Sequence, residues 1–121
     1  MVTPSVGAVV LVSFPFSDLS HVKLRPAVVL ADVGRNDWIL SQITSNPYAD
    51  EKSIEINEND FSSGTLMRTS YVRPGKLFSC NTSIMVRTVG KLNALKCNTV
   101  LEEVIFFFKQ GFSDQDTKEK E

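Results

Sequence analysis

The 121 residues suit one domain, long enough to bury a core without disulfide staples. With 42% hydrophobic and 22% charged residues the chain is not disordered. A formal net charge of -1 excludes coating nucleic acid by bulk charge, though it permits a local basic groove.

Cys80 and Cys97 are too few for a disulfide framework and belong to no CxxC pair, so both are expected to be reduced thiols. His21 is the only histidine, which argues against a dedicated zinc site. There is no phosphate-loop or dinucleotide glycine motif. Any catalysis is therefore expected to need neither metal nor organic cofactor. No basic-then-apolar leader opens the sequence and no run of about 18 apolar residues crosses it. The expectation is a cytoplasmic protein with no membrane contact.

In chain order, Gly7 to Phe16 reads as a strand, its β-branched run continued in period two by Phe14 and Phe16. Ser17 to His21 carries turn residues. Leu24 to Val33 is a second strand, opened by Arg25-Pro26. Proline lacks a ladder donor and fits best at a strand start, which leaves Arg25 at the rim. Gly34 to Asp37 signals a tight turn, and Trp38 to Thr44 the hairpin partner. A loop follows at 45–50, then a short alternating strand over Ser53 to Ile56. Residues 57–64 are polar and turn-rich, with Phe61 as an anchor. Leu66 to Val72, Leu77-Phe78 and Ile84 to Val89 read as extended.

Near the end the period changes. Asn98 to Gly111 predicts a helix, with Asn98 as N-cap or Thr99 to Glu102 as capping box, and Gly111 just past the end. Val100, Val104, Phe107 and Phe108 share one face. Phe106 lies off it, and a wide buried face is preferred to a partner surface. Residues 113–121 are charged and lack apolar anchors, so they are read as a fraying tail after a single domain over 1–112. Short strands followed by one helix predict a mainly β fold: a small, strongly bent antiparallel sheet or barrel carrying a C-terminal α-helix.

These segments together resemble the MazF/PemK family of toxin endoribonucleases from type II toxin–antitoxin systems. The matching stretches are GAVVLVSFPFSDLS, KLRPAVVL, WILSQITSN, SYVRPGKL and IMVRTVGKL, in that order over roughly residues 7 to 110. The resemblance implies an SH3-like barrel of the CcdB/PemK/MazF kind, a homodimer, cleavage of single-stranded RNA and an antitoxin that blocks the active groove. It assigns the active-site pair to Arg25 and Thr44. Asp18, His21, Lys23, Ser45, Asn46, Ser70 and Arg73 are the further positions expected to meet RNA. Among the basic residues Lys23, Arg68, Arg73, Lys76 and Arg87 are candidates to track phosphates. Tyr48 and Trp38 are candidates to stack bases, with a core role preferred for Trp38.

Plainer readings stand beside these. Arg25 as a strand-edge ion pair, Thr44 as a β-former, Asp18 as an Asx-turn and His21 as an ordinary loop residue are the competitors. Asp18 or His21 is offered as proton carrier, since arginine barely deprotonates. A non-enzymatic binder on the same barrel, of the gyrase-poisoning type or a decayed toxin, is the rival class. The charged end and the lack of any Trp besides Trp38 disfavour the gyrase type.

Overall fold

The computed structural model describes residues 2–15 and 22–120. Among them are seven strands and one α-helix: β1 (Ala8–Pro15), β2 (Val22–Gly34), β3 (Asp37–Thr44), β4 (Ile54–Ile56), β5 (Phe61–Gly64), β6 (Ser70–Asn81), β7 (Met85–Leu92) and α1 (Ala94–Lys120). The strands form one antiparallel sheet in the order β4-β6-β3-β2-β1-β7-β5, curled into a half-barrel. The mainly β fold with a C-terminal helix is as the sequence predicts.

The sheet is buried on both faces because the central strands are apolar on both. Along β1 and β2, Val10, Val12, Ala27 and Val29 join one cluster, while Val9, Val28 and Leu30 join the other. The first is completed by Leu40, Cys80 and Met85, with Phe14, Trp38 and Phe78 half-buried against it. Phe14 and Phe78 meet edge to face at 5.2 Å between ring centroids. The second draws on all seven strands and is covered by Cys97, Val100, Leu101 and Val104 of α1.

Curvature comes from bulges. β2 carries two extra residues against β3, one between Val29 and Ala31, one between Asp32 and Gly34. β6 bulges more widely: Ser41 pairs with Leu77 but Ile43 with Val72. Pro74 sits buried in that bulge, where its missing N–H is no loss, and the Ser41 hydroxyl donates to the Arg73 carbonyl at 2.6 Å. At the β2–β3 turn Arg35 and Asn36 both have positive φ, 55° and 65°, the two-residue turn whose twist suits a hairpin.

The helix differs from expectation at both ends. It starts four residues early, capped by Asn93, whose Oδ1 accepts from the Lys96 N–H at 2.8 Å. Asn98 and Thr99 are interior: Asn98 donates to Glu102 and Thr99 to the Leu95 carbonyl. Gly111 does not stop the helix, despite an interior cost of about 1 kcal/mol. The backbone of 113–120, expected to fray, continues α1.

The wide buried face on α1 is not realised within this chain. Phe107 rests over Gly75 of β6, but Phe106 and Phe108 are 54% and 68% exposed and Phe112 is 75% exposed. Burial stops because the helix outruns the sheet it lies on. Leu66 to Val72 is likewise a strand only from Ser70 onward.

Gly64 and Gly90 pair where β5 crosses β7. A Cβ on Gly90 would stand 2.8 Å from the Phe61 ring and 2.9 Å from the Ser63 carbonyl oxygen. Thermal unfolding should therefore show Gly90→Ala destabilised by about 1–3 kcal/mol, the usual cost of overpacking. An unchanged melting curve would mean that β5 moves away freely.

A candidate phosphate-binding site at the rim of the half-barrel

Between β2 and β3, Ala27 pairs with Gln42, Val28 with Ser41 and Val29 with Leu40. Extending that register two residues toward the rim sets Arg25 opposite Thr44. Directly opposed residues project to the same face with Cβ atoms about 5 Å apart. Both line one open recess of about 320 Å³ with Lys23, Leu24, Pro26, Ser45, Arg68 and Ser70, and with the apolar side chains of Leu11, Ile43, Leu66 and Met67. Lys23, Arg25 and Arg68 are cations, and among the described residues no carboxylate lines it. A chain of net charge -1 thus gathers positive charge at one spot.

Local hydrogen bonds hold the Thr44 side fixed. The Thr44 hydroxyl oxygen accepts from the Asn46 N–H at 3.1 Å, and Asn46 Oδ1 accepts from the Tyr48 N–H at 2.9 Å. These turns cap the exit of β3 and leave the Thr44 proton for an acceptor in the recess. Asn46 therefore acts through Thr44 and is not itself part of the lining. Ser70 is buried and donates to the Arg68 carbonyl at 3.1 Å, holding the bend that presents Arg68.

The structure separates other candidates from this cluster. Arg73 does not line the recess; its Nε meets Asp50 Oδ2 at 3.4 Å and its Nη2 the Ala49 carbonyl at 3.4 Å, tying the loop after β3 to β6. Lys76 and Arg87 are exposed elsewhere. Trp38 is half-buried against the core, whereas Tyr48 is 93% exposed. Asp18 and His21 lie outside the described residues. Arg68, one of five scattered basic candidates in the sequence, belongs to the recess, while Leu66 and Met67 carried no signal of a site.

Among the described residues no three His, Cys, Asp or Glu side chains gather closely enough to hold a metal ion. No helix among them is long and apolar enough to cross a membrane. Burial raises both thiols above their ordinary 9.0; the Asp37 carboxylate adds to this at Cys80, and Lys91 opposes it at Cys97.

The fold and recess define a small curled-sheet protein with a cationic pocket at its open rim. Residues 5–108 match the family described as PemK-like, MazF-like toxin of type II toxin-antitoxin system, and the chain belongs to that family. Among solved structures it is similar to MazE-MazF from Deinococcus radiodurans, at 15% identity over 88% of this chain and 96% of that one, TM-score 0.70. An endoribonuclease in complex with its cognate antitoxin from Mycobacterial species matches at 14% identity over 84% and 91%, TM-score 0.63. Mycobacterium tuberculosis toxin MazF-mt6 matches at 18% identity over 80% and 92%, TM-score 0.57. At these identities the likeness is one of fold. No curated protein matches the sequence itself.

The thiols give a direct check. Both should react slowly with a thiol reagent at pH 7 and faster as pH rises past 9.0, the half-buried Cys97 ahead of the buried Cys80. An unfolded chain ionises its thiols first, so the same shifts lower stability as pH rises through 9.0. Rapid labelling of native protein at pH 7 would contradict this burial.

Proposed function

We propose that this chain is the toxin of a type II toxin–antitoxin pair and cuts single-stranded RNA in the cytoplasm without a metal, Arg25 and Thr44 gripping the scissile phosphate. The carrying observation is the recess itself: the Arg25 guanidinium of β2 and the Thr44 hydroxyl of β3 line one pocket together with two further cations, Lys23 and Arg68. Family membership supports the toxin reading, and solved relatives described as endoribonucleases support the chemistry.

The RNA supplies its own nucleophile. The 2′-hydroxyl attacks the adjacent phosphorus in line, the P–O5′ bond breaks, and a 2′,3′-cyclic phosphate and a 5′-hydroxyl remain. Negative charge builds on the non-bridging oxygens as the phosphorane forms. The Arg25 fork binds two of them and keeps its charge at every working pH. Thr44 donates its remaining proton to the same oxygens, and Lys23 and Arg68 hold flanking phosphates. Asp18 and His21, in the connection from β1 to β2, are the groups to test as carriers of the 2′-hydroxyl proton and the 5′-oxygen proton.

An antitoxin inhibits most simply by filling the same recess with acidic side chains. The exposed end of α1 suits a second copy of the chain. Leu101, Ile105, Phe108 and Phe112 follow a four-three-four spacing, the seam of paired helices. In an antiparallel pair Glu102 of one copy faces Lys109 of the other, and the two-fold repeats that contact.

Purified protein should cut mixed-sequence single-stranded RNA in EDTA, and end analysis should find cyclic phosphates. Arg25→Ala should lose about 100- to 1000-fold in rate, the scale of one oxyanion donor, and Thr44→Val less. Equal cutting by Arg25→Ala, or none by the wild type at any salt, would overturn the reading. Light scattering should find a dimer at micromolar concentration and a monomer for Phe108→Glu; a monomeric wild type would refute the helix pairing.

A further inference from the structure

A second recess, of about 350 Å³, lies beside the first, and the two share Leu66, Met67 and Arg68 as a common wall. Its far side is the short 3-10 turn at Glu58–Asp60, and Thr69 completes it. The turn is rigid for its size. Asn57 Oδ1 accepts from the Asn59 N–H and Asp60 Oδ2 from the Asn57 N–H, both at 2.9 Å. Asn93, the cap of α1, donates its backbone N–H to the Asp60 carbonyl at 2.7 Å and its Nδ2 to the Asn59 carbonyl at 3.3 Å. Lys96 adds a contact to Asp60 at 3.6 Å.

From the turn itself, that bracing uses main-chain groups and only the Asn57 and Asp60 side chains. Among the described residues, the side chains of Glu58, Asn59, Arg68 and Thr69 have no hydrogen bond or ion pair. These side chains are exposed at the recess and free to meet a ligand, and because the turn that carries Glu58 and Asn59 is braced, no loop need be ordered on binding. Met67 is 100% exposed on the dividing wall, a thioether offered to a flat apolar partner.

We infer that this second recess is a nucleobase subsite selective for guanine, which reads the nucleotide next to the phosphate held by Arg25 and Thr44. The inference rests on the RNA-cleaving reading above. Guanine alone among the four bases offers two adjacent N–H donors, N1 and N2, to one carboxylate, and the Glu58 carboxylate accepts both. Asn59 meets a remaining edge atom, Met67 packs on the ring, and Arg68 on the wall holds the phosphate that links the two nucleotides.

The experiment compares wild type with Glu58→Gln in two measurements, after melting curves establish that both are folded. In the first, cut ends from mixed-sequence RNA are sequenced. Wild type should favour guanine at one fixed position beside the cut, and Glu58→Gln should reduce that preference by about 10- to 100-fold, the scale of one lost bidentate contact. In the second, anisotropy follows binding of labelled uridine pentamers with and without a single guanine.

A guanine preference that Glu58→Gln leaves intact overturns the subsite and leaves the cleavage reading standing. So does wild-type cutting with no guanine preference at any fixed position. No cutting, with guanine-selective binding that Glu58→Gln abolishes, supports the subsite and overturns the cleavage reading.

Discussion

The ladder between β2 and β3 decides where Arg25 and Thr44 stand, and its register is not set by hydrophobicity. The run Ala27 to Leu30 is apolar on both faces, so a one-residue slip would exchange one set of buried side chains for another. Where one face is polar, such a slip is prohibitive; here that safeguard is absent. The register depends instead on the turn and the bulges. Counting from the pair Gly34 and Asp37 without a bulge would set Arg25 opposite Asn46. The two extra residues on β2 remove that offset, so the register continued two residues past Ala27 and Gln42 aligns Arg25 with Thr44.

The same bulges curl the sheet, so position and curvature share one cause. Curling lets a seven-stranded sheet bury both faces with one helix, which covers only the face built from all seven strands. It also leaves the ends of β2 and β3 at an open rim, where charge can face solvent. A guanidinium inside either cluster would meet only hydrocarbon, and burying an unpaired charge costs far more than any local contact returns. At the rim, where the β2–β3 ladder ends, the cations of the recess can stay solvated.

The structure also divides work among polar residues that look equivalent in one dimension. Arg25 and Arg73 both precede a proline, yet one faces the recess and the other ties a loop through Asp50 and Ala49. Ser45 and Ser70 both line the pocket, but only Ser70 is buried and bonds the Arg68 carbonyl, shaping the bend behind Arg68. Asn57 and Asn93 brace the 3-10 turn, and their neighbours Glu58 and Asn59 keep free side chains.

What the sequence by itself determined was local. The β-branched runs, the Gly34 to Asp37 turn and the apolar stripe of α1 specify strands, a hairpin and a helix, because each signal acts within a few residues. Arg25-Pro26 does not open a strand as its sequence suggests: β2 begins at Val22 and Pro26 pairs with Leu11 inside the ladder to β1. Its missing N–H is tolerated because the ladder to β3 ends at Ala27. It was the resemblance of the ordered segments that pointed to Arg25 and Thr44. The bulges, the helix ends and the company kept by Arg68, Met67, Glu58 and Asn59 were decided only in three dimensions. Asn93 caps α1 while bonding a turn more than thirty residues earlier, and α1 runs on past Gly111, since adding a residue to a started helix is far easier than starting one. Contacts between residues remote in the chain follow from how the sheet curls, and no pattern of neighbouring residues encodes that curl directly.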